Sequence, residues 1–226
     1  MGKDKLKRWA QNKEFAHVFE PELKEIALGA TYKVGEWHSV FGNDNPIVLE
    51  LGCGKGEYTV GQARIFPDKN FLGVDIKGHR FWRGAKTAEE EGLHNVAFLR
   101  ARIEAIDRYF AEDEISEIWL TFSDPQLKDR REKKRMTGPN FIDMYRKFCP
   151  KGADLHVKTD NTFFYHWSLE SFEEHGVEVL SKTDDVYGEY LHRQSERKQK
   201  VLGIRTYYEE MFAEKGEKIK YVHAKL

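Results

Sequence analysis

The stretch Ile47-Val48-Leu49-Glu50-Leu51-Gly52-Cys53-Gly54-Lys55-Gly56-Glu57 sets a short apolar run, broken only by Glu50, before glycines at three alternate positions. A helical pattern follows, with Val60, Ala63, Ile65 and Phe66 among polar residues. A buried parallel strand reads as such an apolar run, and a glycine turn feeding a helix opens a βα nucleotide site. Glycine suits this turn because a bound ligand must approach the backbone closely.

The spacing selects the ligand. A dinucleotide fingerprint, G-x-G-x-x-G, aims a helix N-terminus at a pyrophosphate. Here the order is acid-x-Gly-x-Gly-x-Gly, with Glu50 two residues ahead of Gly52. A carboxylate there repels a pyrophosphate but attracts an ammonium or a sulfonium, and S-adenosylmethionine carries both and no phosphate. Phe71-Leu72-Gly73-Val74-Asp75 is a second short apolar strand ending in an acid. An acid about 20 residues past the glycines is placed to hold ribose hydroxyls.

The chain has 226 residues, enough for one α/β domain. We expect a single methyltransferase domain over 1–226, with 1–30 as a basic N-terminal arm. Charged residues are 33% of the chain, yet the formal net charge is −1, so only the distribution of charge can speak for a nucleic-acid partner. Cys53 and Cys149 have no CxxC partner or neighbouring histidine cluster. They read as small apolar residues in a reducing compartment, with no metal site. No apolar run reaches the ~20 residues of a membrane span. The basic N-terminus lacks the apolar core of a secretory signal, so a cytoplasmic location is expected.

Lys3, Lys5, Lys7, Arg8 and Lys13 alternate with Trp9, Phe15 and Phe19 in the arm. That pattern suits either a solvated extension or a contact with a polyanion. After the turn Gly42-Asn43-Asp44-Asn45-Pro46, strands are expected near 47–51, 70–75, 95–100, 116–122, 153–158, 177–180 and 218–223. Helices are expected near 56–66, 78–91, 103–110, 138–148 and 161–175. The alternation predicts a Rossmann-like α/β fold, a mostly parallel seven-stranded sheet with helices on both faces. Ligands in such folds bind beyond the carboxyl ends of the strands.

Strand four ends in Ile118-Trp119-Leu120-Thr121-Phe122-Ser123-Asp124-Pro125-Gln126-Leu127-Lys128. Asp124 points a carboxylate at the same edge, and Pro125 biases it away from helical geometry. Six of the eight residues from Lys128 to Arg135 are basic, and Arg193, Arg197, Lys198 and Lys200 form a second group. A charge run alone is usually a solvated face; at this edge it favours phosphate contacts. Asp160 closes strand five in the same way. Thr206 and Glu209 have the spacing of a capping box, which by itself marks only a helix start.

These residues together resemble the bacterial tRNA (guanine-N7-)-methyltransferases, over about residues 8–220. The family's acid-x-Gly-x-Gly-x-Gly motif is matched by Glu50 to Gly56, and its acid after strand two by Asp75. Its Phe-Pro-Asp-Pro-Trp signature and basic run are matched by Phe122 to Arg135. Its Thr-Asp is matched by Thr159-Asp160, and its late Thr-x-Phe-Glu by Thr206 to Glu209, with Gly216 and Ile219 following.

The resemblance implies class I methyltransferase activity, with S-adenosylmethionine as co-substrate and N7 of a guanine in the tRNA variable loop as acceptor. It implies that Glu50, Gly52, Gly54, Asp75 and Asp124 bind the methyl donor, with Asp124 at the reacting centre. Lys128, Asp160, Thr206, Tyr207, Tyr208 and Glu209 would contact the tRNA guanosine. Ser123 and Gln126 depart from the family's Pro and Trp. Arg102 and Ile103 stand where the family has Asp-Ala at the adenine; either backbone groups suffice there or Glu104 takes the role. The expected partner is tRNA, with no membrane, no obligatory protein partner, and a monomer or homodimer. The alternative is a tRNA-binding protein that keeps the fold without the activity.

Overall fold

The computed structural model describes residues 3–213 and 216–226; residues 1 and 2 of the expected arm lie outside it. The chain opens with helix α1 (Lys3–Asn12), the two-residue strand β1 (Val18–Phe19) and short helices α2 (Leu23–Ala27) and α3 (Trp37–Phe41). Alternation then runs β2 (Ile47–Leu51), α4 (Glu57–Ile65), β3 (Asn70–Asp75), α5 (Gly78–Glu91), β4 (Val96–Arg100), β5 (Glu117–Thr121), α6 (Pro139–Tyr145), β6 (Asp154–Thr159) and α7 (Thr162–Glu174). It closes with β7 (Glu178–Thr183), α8 (Glu196–Leu202), α9 (Tyr207–Ala213) and β8 (Lys220–Lys225).

The strands form one sheet in the order β1-β4-β3-β2-β5-β6-β8-β7. All pairings are parallel except those of β8, which runs antiparallel to both β6 and β7. The sheet has eight strands against the seven expected. The addition is β1, whose two residues pair with Phe98 and Leu99 of β4 and are too few to show an alternating pattern.

The strand period of two sorts side chains onto two cores. Leu49, Leu51, Leu72, Val74, Ala97, Leu99, Ile118 and Leu120 face one core with Trp37, Tyr145 and Phe148. Val48, Phe71, Val96, Phe98 and Trp119 face the other with Tyr58, Phe81 and Leu202. Both faces are apolar, which is why these strands read as continuous apolar runs.

Residues 103–110 do not make the helix expected there. Ile103–Arg108 is a 3-10 segment kinked at Ala105 (φ −129°, ψ 26°). Its apolar residues, Ile103, Ile106 and Tyr109, recur every third position, the repeat of a 3-10 turn. Both cysteines are free and buried. At the end of the sheet remote from the glycine turn, Asp154 accepts from His223 at 2.6 Å and pairs with Lys225 at 2.8 Å. His156 lies 2.7 Å from the Tyr221 hydroxyl and 3.2 Å from Glu117. These contacts clamp β8 against β6.

Candidate active site

The sheet order reverses between β2 and β5: β3 and β4 lie to one side of β2, β5 and β6 to the other. The loops leaving β2 and β5 therefore diverge and open a crevice at their carboxyl ends. A cavity of about 750 Å³ occupies it. Its wall comes from the ends of five parallel strands: Gly52 to Lys55, Asp75 to Lys77, Arg102 to Glu104, Thr121 to Gln126, and Asp160 with Asn161. Thr206 and Tyr208 reach the same cavity from the segment that leads into α9.

The glycine turn explains the cradle. Gly52, Gly54 and Gly56 have φ of 81°, 56° and 76°, in the region that other residues enter only with strain. Added β-carbons at Gly52 and Gly54 would meet nothing closer than 3.8 and 3.9 Å, so both backbones face open space. Asp75 ties this turn to the next strand. One carboxylate oxygen accepts from the Gly54 N–H at 3.1 Å, the other from the Lys77 N–H at 2.8 Å. Burial pushes its pKa up, and these donors with Arg80 pull it back.

Glu50 does not line the cavity. It is 3% exposed and lies beneath the floor, accepting from the hydroxyls of Thr59 and Thr121. Thr121 is itself a wall residue, so Glu50 is one hydroxyl away from the crevice. Burial raises its pKa from 4.5 to about 7 against the two threonine hydrogen bonds. Gly73 makes room for this arrangement, since a β-carbon there would stand 2.7 Å from the Thr59 hydroxyl oxygen.

Asp124 is exposed at the cavity and accepts from the Gln126 N–H at 3.0 Å. The loop around it is strained: Phe122 and Gln126 take φ of 51° and 48° without being glycine. Such geometry clusters at functional sites and persists only where surrounding contacts hold it. Ser123 Oγ and Gln126 Oε1 are buried there with no protein partner. Both belong to the positions where the sequence departs from the family signature.

Of the remaining expected residues, Arg102, Ile103, Asp160, Thr206 and Tyr208 line the cavity, whereas Lys128 and Tyr207 do not. Tyr207 is half exposed beside the site, with the Lys55 ammonium 3.4 Å from its ring centre. Glu209 lies elsewhere. It is fully buried, 3.0 Å from Lys158 Nζ, and also accepts from the Tyr187 hydroxyl. The Thr206 hydroxyl caps the helix by accepting from the Glu209 N–H at 3.1 Å, but the Glu209 side chain turns to Lys158 rather than completing a capping box. Lys158 also donates to the carbonyls of Leu202 and Ile204, at 2.7 and 3.1 Å. It therefore pins the strap 202–209 onto the sheet, a role with no signal in the motif reading because its partners lie 44 to 51 residues away.

The groups buried at the floor, Glu50 and Asp75, are acidic, while the exposed wall carries both signs: Lys77, Arg102 and Lys134 beside Glu104 and Asp124. The acidic floor suits a small cation, and the exposed bases of the wall can meet an anion at the rim.

A family model described as "Putative methyltransferase" matches residues 44–222. A tRNA (guanine-N(7)-)-methyltransferase of Bacteroides fragilis is 48% identical over 223 residues, covering 98% of this chain and 85% of that protein. One of Streptococcus thermophilus is 38% identical over 207 residues, covering 92% of this chain and 89% of that protein. Among solved structures, the 16S rRNA methyltransferase KamB superposes with a TM-score of 0.64 at 14% identity, over 86% of this chain and 94% of that one. At that identity the likeness shows the class I methyltransferase fold.

Proposed function

This chain belongs to the tRNA (guanine-N(7)-)-methyltransferase family, and we propose that it transfers a methyl group from S-adenosylmethionine to N7 of a guanine in the variable loop of tRNA. The observation that carries the reading is the single cavity where Gly52, Gly54, Asp75, Asp124 and Asp160 meet beside exposed lysines and arginines. Among the described residues no helix is long and apolar enough to cross a membrane. A tRNA substrate places the reaction in the cytoplasm.

The donor set fits the co-substrate. Asp75 keeps lone pairs free beyond its two backbone donors and suits ribose hydroxyls. Ile76, 38% exposed, and Ile103 give apolar surface for a planar base. Glu50 lies beneath the site, one hydroxyl away through Thr121, and an ammonium or sulfonium bound above it would favour its ionised form. When bound, S-adenosylmethionine supplies a methyl carbon made electrophilic by its sulfonium.

N7 of guanine has a lone pair and no proton to lose, so no general base is required. The protein's work is to hold the acceptor in line, which can contribute about 7–11 kcal/mol. Asp124, fixed through the Gln126 N–H, orients the guanine or the donor's ammonium. Thr206, Tyr208 and Asp160 complete the base pocket. The exposed basic residues from Lys128 to Lys134 take phosphates, so affinity there depends on salt rather than on base identity.

The test is incubation with labelled S-adenosylmethionine and unmodified tRNA, followed by nucleoside analysis. Label recovered as 7-methylguanosine is the expected result. No incorporation, or label on another nucleoside, would overturn the assignment. Asp124→Ala should remove most turnover, and near-normal kcat in that variant would refute its place at the reacting centre.

A further inference from the structure

The basic run splits in two. Lys128, Arg130, Arg131, Lys133 and Lys134 are exposed, but Arg135 is 2% exposed. Its guanidinium packs against two rings of α7, 4.9 Å from the centre of Phe163 and 4.6 Å from that of Trp167. Nε and one terminal nitrogen both donate to the Gln126 carbonyl oxygen, at 3.3 and 3.2 Å. The other terminal nitrogen stands 3.9 Å from the Glu132 carboxylate. With its side chain only 3% exposed, the group is held by protein and offers a phosphate almost no surface.

The carbonyl it grips belongs to the strained residue. Gln126 holds φ at 48°, and its N–H is the donor that fixes Asp124. We infer that Arg135 is a positioning residue for the Asp124 loop, not one of the tRNA phosphate contacts its neighbours supply. The aromatic pair packs on the guanidinium, and the guanidinium holds the Gln126 carbonyl and so the peptide that follows Gln126. Across the same α-carbon, the Gln126 N–H on the preceding peptide donates to the Asp124 carboxylate at the cavity. A lysine cannot replace it, because one ammonium lacks the planar fork that addresses one oxygen twice and stacks on two rings.

The inference rests on the reading of Asp124 as the residue at the reacting centre. The experiment compares wild type, Arg135→Lys, Arg135→Gln, Phe163→Leu and Lys133→Ala by three measurements. These are kcat at saturating co-substrate and tRNA, the slope of log Kd for tRNA against log salt, and amide hydrogen exchange over 122–127. Arg135→Lys should lower kcat at least tenfold and speed exchange in 122–127, and Arg135→Gln, which removes the charge, should leave the salt slope unchanged. Phe163→Leu, at a ring 44% exposed and so mild for folding, should move kcat and exchange the same way by less. Lys133→Ala should make the slope shallower by about 0.7–0.9, the effect of one lost phosphate contact.

A slope made shallower by about that amount in Arg135→Gln would overturn the inference. So would wild-type exchange in Arg135→Lys, or faster exchange with unchanged kcat in a protein that Asp124→Ala inactivates. If Asp124→Ala itself keeps turnover, the reading of Asp124 has failed, and the exchange and salt measurements decide the fate of Arg135 separately.

Discussion

Replacing Glu209 with glutamine should weaken the fold modestly and leave tRNA affinity almost intact. The two side chains of the Lys158–Glu209 pair are fully buried and 3.0 Å apart. Breaking a buried pair costs about 3–5 kcal/mol when the stranded charge has no escape. Lys158 has one: burial lowers its pKa from 10.5 to about 8, against the pull of Glu209. At pH 7 it lies about one unit from discharge, or ~1.4 kcal/mol. Glu209→Gln should therefore cost about 1–2 kcal/mol, roughly 2–8 °C in Tm at this chain length. Lys158→Met leaves the buried Glu209 carboxylate without its ammonium and removes the donor to the Ile204 carbonyl, for about 4 kcal/mol or more.

Urea denaturation followed by tryptophan fluorescence measures both variants, and filter binding gives the tRNA Kd, expected within about threefold of wild type for Glu209→Gln. The sign with pH follows from the lowered lysine pKa. Between about 8 and 10.5 the unfolded chain holds the proton that the folded chain has lost, so wild-type stability should rise with pH across that window. An unchanged urea midpoint in Glu209→Gln together with tenfold weaker tRNA binding would refute this reasoning. It would return Glu209 to the RNA contact that the family resemblance implies.

Three further outcomes are expected. Glu50 has a folded pKa raised from 4.5 to about 7, so the stability it contributes is present below 4.5 and lost as pH climbs through 7. For this fully buried group that is roughly 3 kcal/mol, and Glu50→Gln should flatten the pH profile of the urea midpoint; parallel profiles would count against it. Gly73→Ala drives a β-carbon to 2.7 Å from the Thr59 hydroxyl and 2.9 Å from Phe98, which should cost about 1–3 kcal/mol in a thermal melt. Asp75→Asn presents an N–H group to one of the two backbone donors it now accepts from. Calorimetry should show at least tenfold weaker S-adenosylmethionine binding, and an unchanged Kd would remove Asp75 from the co-substrate site.

The strands were legible because each carries its signal within a few residues. Ile47–Leu51, Asn70–Asp75 and Glu117–Thr121 begin and end within about one residue of the expected spans. The glycine turn and the acids Asp75, Asp124 and Asp160 were legible for the same reason, since a parallel sheet sends every strand's carboxyl end to one edge. The Ile103–Arg108 segment was misread because a three-residue repeat of apolar side chains resembles a helix pattern over so short a run.

Chain order alone determined the α/β architecture, the crevice at the strand ends and the family, because periodicity and turn chemistry are local properties of neighbouring residues. Only tertiary packing decided which charges the solvent sees. Glu50 went under the floor, Glu209 turned to Lys158, and Arg135 turned from the basic run toward Phe163 and Trp167. Each of these fates depends on a partner brought close by the fold from tens of residues away. A buried charge is tolerated only where such a partner exists, so no local pattern could have announced it.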